Sequence, residues 1–565
     1  LVVAVVSSSP CFASSPHVAK VGRVLRLWCG FAMGQGIQKC CEQRDDIPKE
    51  VVTHKFDENE KDNVDEGHPT QHVKVQVEDV AESLVGHRLQ KPLSTGSRVE
   101  KMEQLTVDHE IVRGIPLRES LKMLGRLWRW SPLDLKEEDR QSLWLRSQKV
   151  DGFDTFLSHT WLTSGRWKVL TLLLRSGWHM MLLGWVLGVT IAIVLCIFDV
   201  LPMISLWTFI FGIPAAFLGL FGSLYIPNQI SRSQICFLDV VSIHQTDAGL
   251  MERGIYGLGG FLKVAKELRV LWSRPYLSRL WCVFELAAYR TANPSGKITL
   301  RPLFLESVGA IMFLGCLVSS CTLEFVEAVA EDAMMARGAY ILSSIPLFIA
   351  IHVLRHEVRL KHHLASDLKD FDVNNAECRN NFDREFIYAG IIQWYGSKEA
   401  FTRYVRGTLR MELIGYSMFQ CHMPPQYLFL ICIGPVSSSL EAWLVMLKQG
   451  ASEEVLIAYV IGMMVATNIM WQIFSLKLAI ILCDTMGLQR CSGILDYLTS
   501  FFIFAIYVVF NLAGHVVAKT IAVNRLGASL LWLLSNVLLI FMMLASGWYV
   551  HRFQQRRMKE DAEKL

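Results

Sequence analysis

Long apolar stretches separated by polar segments dominate the chain after residue 177. They approach or exceed the roughly 20 helical residues that cross the hydrocarbon layer of a membrane. Eight stretches of this kind lie at residues 178–198, 203–226, 303–321, 339–354, 427–447, 455–482, 494–518 and 527–550. The pattern predicts an all-α transmembrane bundle of about eight helices, and an even number of spans leaves both termini on one side.

The distribution of lysine and arginine predicts which side of the membrane the polar segments face. The loops between alternate spans, at 199–202, 322–338, 448–454 and 519–526, together contain four of these residues, whereas segment 355–425 alone contains ten. Basic loops tend to stay in the cytosol. We therefore expect segments 227–302 and 355–425, the basic tail at 551–565 and both termini to be cytosolic, in a membrane that the sequence does not identify.

The first 150 residues divide into three parts of different composition. Residues 1–41 contain no acidic residue, which is typical of a targeting segment, although "MGQGIQKCC" from Met33 would alternatively offer acceptors for a lipid anchor. Residues 42–110 are polar, with Phe56 as their only aromatic residue, and this composition predicts a disordered linker. Apolar residues return at helical spacing in 111–150, so we expect a helical lead-in to the next domain.

Short apolar runs that end in turn residues flank the first predicted pair of spans. "FDTFLSHTW" (153–161) precedes the pair and "QICFLDVVSI" (234–243) follows it, and each has the pattern of a buried strand. Helices and strands then alternate, with a helix at 258–268, a strand at 269–273, a helix capped by Ser278 and a strand at 297–305. This alternation predicts a small parallel α/β sheet with its ligand crevice at the carboxyl ends of the strands.

The predicted sheet domain covers residues 151–305 and is interrupted by a membrane hairpin at 178–226. A second hairpin is predicted at 303–354, a cytosolic helical segment at 355–425 and four further spans within 426–550. No fifth strand follows the strand at 297–305 directly. We therefore expect the segment 355–425 to pack against the sheet domain in place of the missing elements.

Composition agrees with a membrane protein and narrows the chemistry. Hydrophobic residues make up 52% of the chain and the mean hydropathy is +0.32, so membrane lipid is an expected partner. The net charge is only +4, without a clustered basic and aromatic surface motif, which argues against binding of nucleic acid. The 14 cysteines are scattered and the histidines lack zinc-ligand spacing, so neither a disulfide framework nor a metal site is expected.

Three sequence blocks resemble Toll/interleukin receptor (TIR) domains. "DTFLSHTW" is similar to the first strand of that family, "CFLDVVSIHQTD" to its second strand and loop, and "RVLWSRPYLSRLWCVFELAAY" to its third strand and following helix. The third block is the most specific, because the strand, "SRPYLSR" and W-C-x-x-E-L occur in the family's order and spacing. The resemblance covers residues 151–305 and implies a TIR-like α/β fold and a role in signal transduction. The membrane hairpin inside this region departs from the family pattern.

The resemblance gives Glu285 a chemical role. In enzymatic TIR domains the glutamate of W-C-x-x-E-L cleaves the nicotinamide glycosidic bond of NAD, and Glu285 stands at that position. A carboxylate there would stabilise the positive charge that develops on the ribose. The structural alternative is a glutamate at the margin of the core that is paired with an arginine, for which Arg253, Arg279 and Arg290 are available.

Other site residues follow from the same resemblance. Five side chains are implied in binding NAD at the rim of the pocket, namely Ser158, His159, Trp161, Arg166 and Trp281. The loop at 244–260 matches the loop that mediates contacts between TIR domains and gates the pocket. Its glycines predict mobility, although they lack the spacing of a dinucleotide-binding fingerprint.

The sequence leaves three functions open. The first is a membrane-tethered TIR-like signalling protein that associates with itself and hydrolyses NAD, and the second is a non-enzymatic membrane scaffold or adaptor. The third is a channel or transporter with a TIR-like sensor, because six polar residues fall within predicted spans: Glu441, Asn468, Gln472, Asn511, His515 and Asn536. Hydrogen bonding between helices is the expected role of these six residues.

Overall fold

The computed structural model describes residues 105–131, 134–202, 206–327, 333–414, 423–487, 493–522 and 525–563. The targeting or anchor segment predicted at 1–41 lies outside these residues, as does the predicted linker up to residue 104. The remainder of that predicted linker is folded, because Leu105 is buried and His109–Ile111 forms a short 3-10 helix.

Six strands form one mixed sheet in the described part of the chain. They are β1 (Arg113–Pro116), β2 (Gln148–Lys149), β3 (Thr155–Ser158), β4 (Ile235–Phe237), β5 (Glu267–Trp272) and β6 (Lys297–Pro302). Their spatial order is β2-β1-β4-β3-β5-β6. β3 and β4 are neighbouring parallel strands, as the sequence predicts, and β5 and β6 continue the parallel part.

The edge formed by β1 and β2 corrects two predictions. The sheet is mixed rather than parallel, because β1 runs antiparallel to both β2 and β4. The lead-in at 111–150 is not purely helical, because it contains β1 and β2 as well as two helices. β1 is a four-residue strand that pairs Ile115 with Cys236. A pairing between residues so far apart leaves no trace in local periodicity.

A buried group of phenylalanines joins the two strands that the membrane hairpin separates in sequence. Phe156 on β3 stacks on Phe237 on β4, with 4.2 Å between their ring centroids. Phe153 and Phe261 pack edge-on or tilted against Phe237 at 5.5 and 5.1 Å. Such aromatic pairs add to the stabilisation that burial itself gives. The long detour through the hairpin therefore does not prevent β3 and β4 from sharing one core.

Helices make up most of the remaining described chain. Those of the sheet domain are Leu117–Arg129, Glu137–Leu145, Asp239–Ser242, Ala248–Tyr256, Leu258–Lys263 and Leu280–Ala292. Those of the segment beside it are Asn381–Tyr395, Lys398–Tyr404, the π-helix Val405–Leu409 and Arg410–Leu413. The longer or more apolar helical segments are Gly165–Ile197, Trp207–Gly222, Leu303–Glu327, Ala333–Lys369, Pro425–Ile431, Ile433–Lys448, Glu453–Tyr459, the π-helix Val460–Trp471, Gln472–Thr485, Ile494–Val517 and Leu526–Glu563.

Among the described residues, six helical segments are long and apolar enough to cross a membrane. The helices Pro425–Ile431 and Ile433–Lys448, bent by 43° at their junction, make a seventh if they count as one span. The predicted span at 339–354 is not among them, and the count of eight is therefore not confirmed. Its apolar stretch lies inside the 37-residue helix Ala333–Lys369 and continues directly into the charged sequence "RHEVRLKHH". The predicted side of the termini, which depends on an even count, stays a prediction.

The helix that carries Glu285 begins later than the sequence predicts. Its first residue is Leu280, and the predicted cap Ser278 donates its hydroxyl to the Pro275 carbonyl instead. The Leu280 N–H donates to the Glu377 carbonyl at 3.0 Å. A distant backbone acceptor therefore satisfies one of the free N–H groups at this helix end, which a local side-chain cap would otherwise do.

The helix Asn381–Tyr395, from the segment that the sequence predicts to pack against the sheet domain, covers the outer face of the Glu285 helix. Phe284 packs against Phe386 and Trp394, with ring centroids 6.1 and 5.6 Å apart, and the Tyr395 hydroxyl donates to the Ala287 carbonyl at 3.2 Å. These contacts bury one face of the helix and leave Glu285 on the other, toward the sheet.

Candidate functional site

Glu285 lies at the carboxyl edge of the parallel strands. Taken in chain order, the four parallel strands have the spatial order 2-1-3-4, so the chain crosses from one side of β3 to the other. In sheets of this kind, ligands bind outside the carboxyl ends of the strands at such a switch point. β3 ends at Ser158, and Tyr276 follows the end of β5. The fold therefore brings Glu285, Ser158 and Tyr276 to the place where a ligand crevice is expected.

A chain of hydroxyl groups ends on Glu285. The Ser158 hydroxyl donates a hydrogen bond to Glu285 Oε2, and the Ser158 and Tyr276 oxygens lie 2.5 Å apart. The Tyr276 hydroxyl also donates to the Cys282 carbonyl, at 3.4 Å. Ser158 therefore links the acid to a buried tyrosine.

Burial dominates the electrostatics of this group. It raises the pKa of Glu285 from 4.5 to about 8; the Ser158 hydrogen bond opposes this effect and the charge of Asp239 adds to it. Burial likewise raises the pKa of Tyr276 and of Cys282 well above their usual values. The Glu285 carboxyl is therefore protonated at neutral pH. A cation beside it would favour the ionised form and lower that pKa.

The alternative of an arginine partner for Glu285 does not fit the structure. Among the described residues, no lysine or arginine forms an ion pair with this acid. The three candidate arginines pair with other acids, at nitrogen–oxygen distances of 2.9, 3.9 and 2.5 Å: Arg253 with Asp108, Arg279 with Glu377, and Arg290 with Glu412. An acid that is held partly buried without a compensating charge is costly, and such acids occur preferentially at functional sites.

His159 and Trp161 form a second group beside the end of β3. The His159 ring packs against Trp128 and Trp161, with centroid distances of 5.2 and 4.8 Å. The Trp161 indole N–H donates to Asp239 Oδ2 at 2.7 Å. Burial and the charge of Lys168 lower the pKa of His159 to about 4, so the ring is neutral. Its buried Nε2 has no hydrogen-bond partner in the described part of the chain and lies 3.9 Å from Asp239 Oδ1.

Two of the predicted binding residues lie away from this group. Trp281 packs toward Phe386, with 6.5 Å between the ring centroids, so it belongs to the interface with the helix Asn381–Tyr395. Arg166 lies over the ring of Trp167 and lines a separate cavity at the start of the helix Gly165–Ile197. Ser158, His159 and Trp161 thus share the edge of the sheet with Glu285, whereas Arg166 and Trp281 do not.

The segment 244–260 is largely helical, which differs from the mobile loop that its glycines predict. Asp247 caps the helix Ala248–Tyr256 by accepting a hydrogen bond from the Leu250 N–H. A Cβ at Gly260 would lie 2.5 Å from the backbone carbon of Thr106. This glycine therefore allows close packing against the segment at 105–107, which the sequence assigns to a linker.

Sequence reasoning missed three residues of the site. Tyr276 lies within the quoted block "SRPYLSR", and Asp239 is the first polar residue after β4, a position that often contributes to a crevice. Lys168 is buried and donates to the Thr160 carbonyl at 2.7 Å. Its position inside an apolar helical stretch was the available signal, because a buried lysine requires a specific partner.

Five of the six polar residues within the predicted spans form hydrogen bonds to another helix. The contacts between helices are Glu441 with the Thr208 N–H, Asn468 with Ser439, His515 with Asn468, Gln472 with Tyr507, and Asn511 with Gln472. Asn536 donates to a carbonyl of its own helix. For the first five residues the geometry agrees with the expected hydrogen bonding between helices, whereas the bond of Asn536 lies within its own helix.

Two arginines neutralise the carboxylate in a cluster of potential metal ligands. His352, His356 and Asp496 have ligand atoms within 4.8 Å of one another. The Asp496 carboxylate already pairs with Arg355 and Arg359, at 2.5 and 2.8 Å. Two guanidinium groups disfavour a further cation, so the cluster fits an ion-pair network that joins the helices Ala333–Lys369 and Ile494–Val517.

Comparison with protein-family models, with curated proteins and with solved structures gives no match to this chain. The site presents a partly buried acid that accepts the Ser158 hydroxyl at the switch point in the parallel part of the sheet. Tyr276 is bonded to Ser158, and a neutral histidine and an indole lie along the same edge.

Proposed function

We propose that the protein is a membrane-anchored signalling enzyme that hydrolyses the nicotinamide glycosidic bond of NAD. The single observation that carries the proposal is the position of Glu285, which is unpaired by any described lysine or arginine and receives the Ser158 hydroxyl at the switch point of the sheet. The resemblance of residues 151–305 to TIR domains supplies the substrate class. The long apolar helices support attachment to a membrane.

The proposed reaction breaks the bond between ribose C1′ and the nicotinamide nitrogen. The electron pair of this bond goes to the nitrogen, which loses its positive charge, and the ribose carbon becomes electron-deficient. Water then forms a bond to C1′ through its oxygen and releases a proton. Glu285, in its ionised form, stabilises the positive charge on the ribose, and the low-dielectric surroundings strengthen that interaction.

The raised pKa of Glu285 sets the expected pH dependence. The carboxyl is protonated in the free protein at neutral pH, because burial raises its pKa to about 8. NAD brings a positively charged nicotinamide ring to the acid, which favours proton release as the substrate binds. We therefore expect kcat/KM to rise with pH and to level off above about pH 8, since this ratio reports on groups of the free enzyme.

The proposal is tested with the purified full chain in detergent micelles and in vesicles. We expect wild type to release nicotinamide from NAD, measured by chromatography, and Glu285→Gln to reduce the rate at least 100-fold. Glu138→Gln is the matched control, because Glu138 is exposed and lies on another helix. Equal rates in Glu285→Gln and wild type, or no release by folded wild type in either medium, would contradict the proposal.

A further inference from the structure

A cavity of about 410 Å³ lies where the first membrane helix leaves the sheet domain. Its volume falls within the range of roughly 300–1,000 Å³ that is usual for small-molecule sites. Leu121, Leu173 and Leu224 contribute buried apolar surface, and Arg129 and Arg166 contribute two positive charges. Among the described residues that line it, none is acidic. The lining is therefore complementary to a ligand that is both anionic and apolar.

The length of the helix Gly165–Ile197 indicates where this cavity lies relative to the hydrocarbon layer of a membrane. Its 33 residues measure about 50 Å at a rise of 1.5 Å per residue, whereas the hydrocarbon core is about 30 Å thick. The stretch from 178 onward is apolar, and Arg166, Lys168 and Arg175 fall in the earlier part. A span of that thickness beginning near residue 178 would place the first turns, which line the cavity, at the level of the lipid headgroups on the side that carries the sheet.

Two glycines bring the walls of the cavity together. A Cβ on Gly165 would lie 1.6 Å from the Trp128 carbonyl oxygen, and a Cβ on Gly125 would lie 2.2 Å from the Val169 side chain. No larger residue fits either position without a shift of the backbone or of its neighbour. The segment Leu117–Arg129 is thereby held directly against the start of the membrane helix.

A strained stretch of backbone presents apolar side chains beside the cavity. Met123, Leu124 and Gly125 have successive φ values of +54, +55 and +69°, a region that non-glycine residues seldom adopt. The two side chains are 65% and 62% exposed, and Leu124 also lines the cavity. Large apolar groups exposed at the level of the headgroups are stable there because lipid, rather than water, covers them.

We propose that this cavity binds the headgroup of an anionic phospholipid. The two guanidinium groups donate hydrogen bonds to the phosphate oxygens, and the N–H groups at the start of the helix Gly165–Ile197 add further donors. The acyl chains continue along the apolar wall that Leu173 and Phe221 form toward the hydrocarbon. Basic pockets at membrane helices select acidic lipids by this combination of charge and apolar contact. A free phosphate would satisfy the charges but not the apolar lining.

Native mass spectrometry of the full chain in detergent tests the proposal with dioleoylphosphatidylserine and dioleoylphosphatidylcholine as probes. We expect preferential binding of the anionic lipid and at least a tenfold loss of that affinity in Arg129→Gln/Arg166→Gln. The control Arg126→Gln/Arg146→Gln removes two charges from exposed residues outside the lining and should retain binding. Glycerol 3-phosphate in 100-fold excess should not displace the lipid.

A pair of substitutions at Leu124 separates charge from shape. Asparagine and aspartate both tolerate the left-handed backbone at this position. Leu124→Asp places a negative charge in the cavity and should abolish the preference for phosphatidylserine, whereas Leu124→Asn should largely retain it. Equal binding of the two lipids by wild type, displacement by glycerol 3-phosphate, or equal losses in the two Leu124 variants would overturn the proposal.

Discussion

Replacing Glu285 by glutamine should change the pH dependence of stability in a defined direction. Between pH 4.5 and about 8 the folded protein holds a proton on this acid that the unfolded chain has released. Rising pH therefore favours unfolding throughout this window, and the loss is complete above about pH 8. Each pKa unit corresponds to about 1.4 kcal/mol, so wild type at pH 7 carries a penalty of about 3 kcal/mol from this group.

Glutamine keeps the shape of the side chain and still accepts the Ser158 hydrogen bond, but it cannot ionise. The variant should therefore match wild type near pH 4.5 and exceed its free energy of unfolding by about 3 kcal/mol at pH 7. Since 1 kcal/mol shifts the melting temperature of a domain of 150–250 residues by roughly 2–4 °C, the difference should amount to several degrees. His159, whose pKa is lowered to about 4, contributes equally to both proteins and cancels in the difference.

Tryptophan fluorescence of the full chain in detergent, followed during heating at pH 5, 6, 7 and 8.5, measures this effect. The exposed Glu138→Gln variant is the control and should melt parallel to wild type at every pH. If the difference between Glu285→Gln and wild type did not grow with pH, the acid would not be buried and protonated as argued. A lower melting temperature for Glu285→Gln at pH 8.5 would refute the same reasoning.

Three further predictions concern other contacts. Ser158→Ala removes the hydrogen bond that opposes the effect of burial, so the pKa of Glu285 should rise further and the pH profile of the proposed NAD hydrolysis should move to higher pH. Asp496→Asn leaves the buried Arg355 without its carboxylate partner and should destabilise the protein by roughly 3–5 kcal/mol, seen as a lower melting temperature at constant helix content. His515→Ala removes one interhelical hydrogen bond and should cost about 1 kcal/mol without altering ion flux into proteoliposomes; a change in flux would favour a transport role.

The amino-acid pattern predicted the parts of this protein that depend on neighbours along the chain. The segments at 153–161 and 234–243 contain β3 and β4, and the apolar stretches coincide with the six described spans and the bent pair. Runs of apolar residues indicate burial in a core or in lipid whatever the partner. The stretch at 339–354 shows the limit of this reasoning, because a short apolar run inside a longer helix does not reveal where the helix continues.

Long-range partners were decided only by the tertiary structure. The sequence offered Arg253, Arg279 and Arg290 as partners of Glu285, and the fold directs all three to other acids. Likewise, the pairing of β1 with β4 joins residues far apart in the chain.

The sequence by itself thus determined which segments are apolar, where the parallel strands lie and that Glu285 is an acid in an apolar helix. Only the tertiary structure decided that this acid accepts the Ser158 hydroxyl, which Tyr276 also contacts, and that two arginines share a cavity at the start of the helix Gly165–Ile197. The reason is physical: hydrophobic periodicity depends on local sequence, whereas the partner of a charge depends on which distant surfaces pack together.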